Sequence, residues 1–317
     1  MVEDVAVSKA SASLKVMVLS GGPDRERAVS LASGEQVAAA LVEAGHDVRL
    51  RDIQPSDVSA LDEFDAWGGE VIFPALHGRW GEGGGVQRLL EDRDFRYVGC
   101  GPAVAALCMD KHRTKLVLCD HDLPTPPFEL VAIGQPSALV PPVVVKALDE
   151  GSSIDLVICH DAAAVQTGRH DLRQRHHRLL IEQFVPGREL TVGIVGSVHG
   201  YEALPAIEII PAAAFYDYEA KYHRDDTRYN FDIDLPSATL AHIAEISLRA
   251  HHALGCRHLS RVDLMIDAAG KPWIIEVNTM PGFTTHSLLP MAARRAGLDM
   301  PALTDRLVRL ACGETVN

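Results

Sequence analysis

Four polar side chains set into two short apolar runs carry the densest chemistry of this 317-residue chain. The runs are Val262 to Ile266 in RVDLMID and Trp273 to Val277 in PWIIEVN, joined across an AAGK turn. Asp263 interrupts the first and Glu276 the second, and a charge in such a run is costly unless paired or bound to a cation. Same-face neighbours on a hairpin lie roughly 5 Å apart, so one hard cation can bridge both carboxylates. Side chains alternate along a strand, which puts Asn278 on the side of Glu276 and Arg261 on the side of Asp263. An all-oxygen set of Asp, Glu and Asn suits Mg²⁺ or Mn²⁺ rather than zinc. An arginine beside it can stabilise negative charge that develops in a reaction. A lone Asp or Glu here would read as an edge-strand charge facing water. Four such groups, followed by Pro281-Gly282 and then Thr284, Thr285 and Ser287, read as a metal–phosphate site.

The rest of the chain must position that hairpin. Its length allows two or three domains. Apolar residues make up 47% of it but aromatics only 5%, so the core is built from Val, Leu, Ile and Ala, as in soluble α/β proteins. A formal charge of −13 with no basic stripe argues against nucleic acid as a partner. The six cysteines show neither a CxxC pair nor disulfide-like spacing and are expected as small core residues in a reducing compartment, the cytoplasm. The N-terminus has no apolar segment of the signal-peptide kind, and no apolar run approaches the ~20 residues of a membrane span.

Taken in order, Lys15 to Ser20 reads as a buried strand leading through Gly21-Gly22 into a helix over about 25–44. Glu26 sits at that mouth, where backbone amides face a ligand and where an acidic first-turn residue also suits the helix dipole. Strands at 46–52 and 70–76 follow, the latter ending in His77 and a glycine-rich loop that carries Glu82. The alternation predicts a small doubly wound parallel-sheet domain, whose ligands bind outside the carboxyl ends of the strands. A helical stretch spans 103–122 and contains Lys111, unremarkable alone. Lys146 stands inside the β-branched run 143–148, where it must find an anion. The Gly-Ser-Ser turn that follows, with Ser152 and Ser153, offers amides and hydroxyls for phosphate, although the chain has no Walker A loop. Residues 160–178 read as a solvated loop and helix. Antiparallel strands on either side of Pro186-Gly187 begin a second sheet that leads to the hairpin. Residues 215–232 hold four of the six tyrosines, heavy charge and no usable period, the signature of a lid or binding loop. An amphipathic helix over 238–254 and two further helices, about 287–296 and 301–311, close the chain.

Eight blocks in order now give a resemblance: GGPDRERAVS, FPALHGRWGE, MDKHRTK, VVVKALDEGSS, IEQFVPGRELTV, FYDYEAKY, SRVDLMID and EVNTMPGFTTHSLLPMAARRAG. Over about residues 15–311 the chain resembles the D-alanine–D-alanine ligases of the ATP-grasp superfamily. The resemblance implies an α/β ATP-grasp fold: a doubly wound domain over 14–101, then two α+β domains, 102–187 and 188–312, that clasp ATP, with a lid over 215–232. It implies that Lys111, Lys146 and Ser153 hold ATP phosphates, and that Glu182, Phe184, Val185 and Glu189 frame adenine and ribose. Asp263, Glu276 and Asn278 would hold Mg²⁺ or Mn²⁺, two ions in the family. Glu26, Ser152, Tyr222, Arg261 and Ser287 would serve catalysis, and His77, Gly282, Leu288, Tyr216 and Lys221 the binding of the two alanines and the lid. A cytoplasmic homodimer with D-alanine and ATP as its ligands is implied as well.

The implied route activates one D-alanine as an acyl phosphate, which the amine of the second attacks. Position and charge supply the catalysis, and a lid keeps water from the acyl phosphate. Two alternatives are a ligase of the same fold using D-lactate or D-serine as acceptor, and a nucleotide-binding regulator without catalysis. The full set Arg261, Asp263, Glu276 and Asn278 counts against the regulator. The chain departs from the family's usual pattern at Gly83, where GEDG is usual, and at Ala147, where VVKP is usual. It departs again at Asp155, where GSSVG is usual, and at 230–232, where Pro-Ala usually follows the lid. Asp155 is expected to add negative charge beside the phosphate turn.

Overall fold

The computed structural model describes residues 12–132, 135–150, 155–211 and 227–314. Ser152, Ser153, Tyr216, Lys221, Tyr222 and most of the expected lid lie outside the described residues.

The first sheet is parallel, with strand order β2-β1-β3: β1 is Lys15–Gly21, β2 Asp47–Ile53 and β3 Val71–Pro74. Alternation sorts its side chains to two faces. Val16, Val18, Val71 and Phe73 pack toward α1 (Arg27–Glu43), while Met17, Leu19 and Ile72 pack toward α2 (Ser59–Trp67) and α4 (Gly85–Glu91). The expected glycine-rich loop between β3 and α4 is a one-turn helix, α3 (Gly78–Glu82). The single helix expected over 103–122 is two, α5 (Pro102–Met109) and α6 (Lys111–Asp120). The extended backbone of Asp110 breaks them, and its carboxylate caps α6 by accepting the Arg113 N–H.

A four-stranded antiparallel sheet follows in the order β4-β7-β5-β6: β4 is Phe128–Ala132, β5 Val143–Ala147, β6 Leu156–Cys159 and β7 Arg178–Gln183. Helix α7 (Ala162–Arg173) covers it. The third sheet is β11-β10-β8-β12-β13, with β9 beside β8. Its strands are β8 (Gly187–Ser197), β9 (Gly200–Ala203), β10 (Ile207–Ile210), β11 (Arg228–Asn230), β12 (Leu259–Asp267) and β13 (Pro272–Asn278). Helix α8 (Ser237–Leu254) buries the expected stripe of Ile243, Ile246, Ala250 and Leu254 against this sheet and ends at Gly255, whose φ is +73°. Helices α9 (Leu288–Arg295) and α10 (Met300–Ala311) complete the chain.

One hydrophobic core crosses the molecule. Val18 and Phe73 of the first sheet share it with Val195 and Ile207 of the third, and with Phe283, Leu289 and Leu307. The carboxyl ends of β1 and β3 are thereby fixed against the β12–β13 hairpin. Of the six cysteines, Cys100, Cys108, Cys159 and Cys256 are buried as expected, whereas Cys119 is exposed and Cys312 half-buried.

Candidate active site

The hairpin forms as its pattern predicts. Asp263 stands opposite Glu276 and Arg261 opposite Asn278 in an antiparallel register. A bulge interrupts the register between Asp263 and Leu264, leaving Ile275 as the extra residue of β13. Such a bulge re-aims the side chains beside it, and Ile275 and Glu276 both face the same cavity. The Arg261 guanidinium grips Asp263 in two bonds, Nε to Oδ1 at 2.8 Å and Nη2 to Oδ2 at 2.7 Å. Thr191 of β8 adds a hydroxyl bond to Asp263 Oδ1 at 2.6 Å. Asn278 Oδ1 accepts the Met280 N–H at 3.0 Å, which fixes the amide's orientation.

Two cavities meet at this hairpin. The first is lined by Glu26, His77, Glu82, Lys111, Glu150, Arg261, Asp263, Glu276, Asn278, Gly282, Ser287 and Leu288, among others. The second lies between the two antiparallel sheets, with Lys146, Glu182, Phe184, Val185, Met265 and the apolar Val144, Leu156 and Ile158 on its walls. Lys111, Glu150, Glu189, Ile209, Asp263 and Glu276 line both. Every described residue expected in the site therefore falls on one or both cavities.

In the first cavity two carboxylates, Glu26 and Glu82, are shifted toward their neutral forms. Glu26 is only 5% exposed and makes no capping bond to α1, so it is not the solvated first-turn acid of the alternative reading. Burial, with Asp24 and Glu150 adding like charge, raises its pKa. Glu82, expected with Glu26 and His77 at the ligand-binding ends of the strands, is pushed up to about 8 by burial, and Glu26 and Glu276 push the same way. Its Oε1 accepts the Gly78 N–H at 3.1 Å. His77 is pulled down to about 4 by burial and by the Arg261 charge, so the imidazole is neutral. Its position depends on Ser33 of α1, whose Oγ lies 3.3 Å from His77 Nε2 and accepts the Phe283 N–H at 3.2 Å. Gly282 has no side chain to spare, since a Cβ there would stand 2.7 Å from Ser287 Oγ. Ser287 caps the turn by accepting the Thr284 N–H at 2.9 Å.

The second cavity pairs its charges. Lys146 finds an anion in Glu182, with Nζ 2.6 Å from Oε1. Lys115, fully buried on α6, lies 2.8 Å from the other carboxylate oxygen. Arg188 and Glu208 form a further pair at 2.6 Å. Between the cavities, Lys111 Nζ donates to the Glu150 carbonyl at 2.6 Å and lies 3.9 Å from Glu276. Sequence reasoning missed Lys115, Glu150 and Ser33. Lys115 did leave a signal: it follows Lys111 by four residues, so a helix puts both on one face.

The family model described as D-ala D-ala ligase C-terminus matches residues 130–309. The D-alanine–D-alanine ligase of Bordetella petrii is 41% identical over 299 residues, 93% of this chain and 91% of that protein. That of Marinobacter nauticus is 40% identical over 96% of this chain and 93% of its own length. The chain belongs to the D-alanine–D-alanine ligase family. A solved D-alanine–D-alanine ligase from Coxiella burnetii has the same fold, with a TM-score of 0.81, 24% identity, and coverage of 96% of this chain and 95% of that one.

All four of this family member's departures have local explanations. Asp155 was expected to load negative charge onto the phosphate turn. Instead its side chain is nearly buried and held by Arg175 and His176, each at 2.7 Å. Its φ of +54° is a conformation that glycine, aspartate and asparagine accept most readily. Ala147 donates its N–H to the Asp155 carbonyl at 3.0 Å, a bond that proline cannot make. Asn230 donates to Glu208 at 3.0 Å and accepts the Asp232 N–H, which ties β11 to β10. Gly83 leaves no room for a side chain as packed, because a Cβ would approach the Arg79 carbonyl oxygen to 2.3 Å.

Proposed function

We propose that the chain joins two D-alanines to D-alanyl-D-alanine at the expense of ATP, supplying a peptidoglycan precursor. The observation that carries this reading is the hairpin on which Asp263 faces Glu276 and Arg261 faces Asn278, set where two cavities meet. One cavity has the apolar walls and paired charges that suit a nucleotide, and the other has the polar lining that suits two small zwitterions. In the proposed route the γ-phosphoryl group of ATP passes to a carboxylate oxygen of the first D-alanine as its bond to the β-phosphate breaks and ADP is released. The amine of the second attacks the acyl carbon, loses a proton, and inorganic phosphate leaves. Arg261 stabilises the oxyanion that forms in between, in a site of low dielectric where such charge complementarity is strongest. Lys111 and Lys146, with Ser153 of the turn, hold the phosphates. Glu182, Phe184, Val185 and Glu189 hold adenine and ribose. Glu26, His77, Gly282, Ser287 and Leu288 shape the alanine sites. The neutral imidazole of His77 can accept a hydrogen bond there.

Asp263, Glu276 and Asn278 would hold Mg²⁺ or Mn²⁺. Their donors fit such an ion, being oxygens that line the first cavity, with Asp263 and Glu276 also on the rim shared with the second. When bound, the metal would neutralise phosphate charge. The roles of Ser152, Ser153, Tyr216, Lys221 and Tyr222 rest on the sequence blocks alone, as do the lid, the domain limits 14–101, 102–187 and 188–312, and a cytoplasmic homodimer. No helix among the described residues is long and apolar enough to cross a membrane.

The test is phosphate release with ATP, Mg²⁺ and, in turn, D-alanine alone or with D-lactate or D-serine, with products identified by mass. D-Alanyl-D-alanine as the dominant product is expected. ATP turnover without dipeptide, or none at all, overturns the reading, and an ester or mixed dipeptide as the main product moves the chain to the other acceptor class. Tyr222→Phe is expected to raise the ester share, most at low pH, where the acceptor ammonium is hardest to deprotonate.

A further inference from the structure

Lys115 is fully buried, yet it faces neither cavity. Its ammonium donates to Thr125 Oγ1 at 2.6 Å, Thr125 in turn donates to the Ile274 carbonyl of β13 at 2.9 Å, and the Phe128 ring centroid lies 5.6 Å away. Its remaining partner is Glu182, 2.8 Å from the ammonium. Glu182 stands between two lysines, with Oε2 toward Lys115 and Oε1 toward Lys146. The triad holds two positive charges and one negative, so it carries a net charge of +1.

Where that positive charge acts follows from the geometry. Lys115 is enclosed by Thr125, Phe128 and Glu182 and cannot reach a ligand, whereas Lys146 lines the cavity. We infer that Lys115 is a positioning residue for the nucleotide: by neutralising Glu182 from behind, it leaves the charge of Lys146 uncompensated toward the cavity and fixes the Glu182 carboxylate in place. This rests on the reading of the second cavity as the ATP site. The Glu182 shift agrees with the geometry, while burial acts on Lys115 in the opposite sense. Burial pushes the Glu182 carboxyl up, but the two lysines outweigh it and leave its pKa lowered. Burial pulls the Lys115 ammonium down against the pull of Glu182.

The triad makes a prediction that simple packing does not. Without Lys115 the Glu182 carboxylate has Lys146 as its one remaining ammonium partner in the triad, and the positive charge offered to phosphate is cancelled. Removing the carboxylate as well should restore it. The variants are Lys115→Met, which keeps the length of the stem without the charge, Glu182→Gln, and the two combined. Wild-type activity and ATP affinity are measured first. If the wild type neither binds ATP nor forms dipeptide, the functional reading has failed before Lys115 is tested. With that established, Lys115→Met is expected to raise the KM for ATP and the ATP dissociation constant about tenfold, with kcat and the KM for D-alanine within about twofold. In the Glu182→Gln background the same change should alter ATP affinity by less than about twofold. Equal losses in both backgrounds, or a fall in kcat and D-alanine affinity together with ATP affinity, mean that Lys115 is only packing and overturn the inference. Unchanged ATP affinity in folded Lys115→Met overturns it too. Should that variant not fold, Lys115→Gln, which keeps a donor for Thr125, takes its place with the same expected split.

Discussion

The two cavities that meet at the β12–β13 hairpin treat buried carboxylates in opposite ways. In the cavity between the antiparallel sheets, Glu182 is fixed by Lys115 and Lys146, and Glu208 by Arg188. In the cavity at the ends of β1 and β3, Glu26 is buried and Glu82 half-buried beside it, and both are pushed toward their neutral forms. Both regions place acids in low dielectric, where a charge is tolerated only with a partner. Paired acids belong to a wall that must hold its shape before a ligand arrives. Unpaired acids mark a place whose compensating charge comes with the ligand.

The sharpest way to break this comparison is to remove a carboxylate from each side. Glu182→Leu strands two buried ammonium groups and should cost about 3–5 kcal/mol of stability, read by denaturant unfolding. Glu26→Gln should leave stability within about 1 kcal/mol, because it replaces a carboxyl already driven toward neutrality by an isosteric amide. Equal losses from the two would end the distinction. On the catalytic side, Glu276→Gln should lower turnover at saturating Mg²⁺ by roughly a hundredfold or more while keeping the fold, since a neutral amide is a weak ligand for a hard cation. Near-normal turnover would remove Glu276 from the metal set. Glu70→Gln is the control: its carboxylate accepts the Lys15 N–H at the start of the first sheet and faces neither cavity, so turnover should not change.

Two smaller effects are read through pH in the ligand-free protein. The Glu82 pKa is raised from 4.5 to about 8, so the folded state holds its proton where the unfolded state has lost it. Stability from this group is full below 4.5 and is lost as pH rises toward 8, on the order of a few kcal/mol. Glu82→Gln should flatten that decline in melting temperature. The histidines work the other way. Burial lowers His77 and His258 from 6.5 to about 4 and His251 to about 3. The unfolded state therefore takes up protons first, and stability falls as pH drops below 6.5. Each contributes about 1.4 kcal/mol per pH unit between its two pKa values. His258→Asn keeps an acceptor for the Gly99 N–H and tolerates the left-handed backbone at that position. It should lower the acid-side slope by about 1.4 kcal/mol per pH unit between pH 4 and 6.5. An unchanged slope would mean that His258 is protonated in the fold.

Much of this was already legible in the residues. Asp263 and Glu276 stood out because a charge inside a β-branched run needs an explanation, and the period of two put Arg261 and Asn278 beside them. The stripe of Ile243, Ile246, Ala250 and Leu254 specified α8, and the run VVVKA specified β5, because local periodicity reports which side of an element is buried. What lies across the fold left no such mark. Asp155 read as a charge added beside a phosphate turn, and only tertiary structure brought Arg175 and His176 to it. Lys115 read as one more helical lysine, and Glu182 as an acid at the end of a strand. Their pairing joins α6 to β7 across 67 residues of chain. Most of the elements, the polar set of the hairpin and the family could be read from the residues alone, because these depend on near neighbours and on order along the chain. Tertiary structure decided which buried charges are matched and which await a ligand, because that balance depends on distance and desolvation, and neither can be computed from residues whose spatial neighbours are unknown.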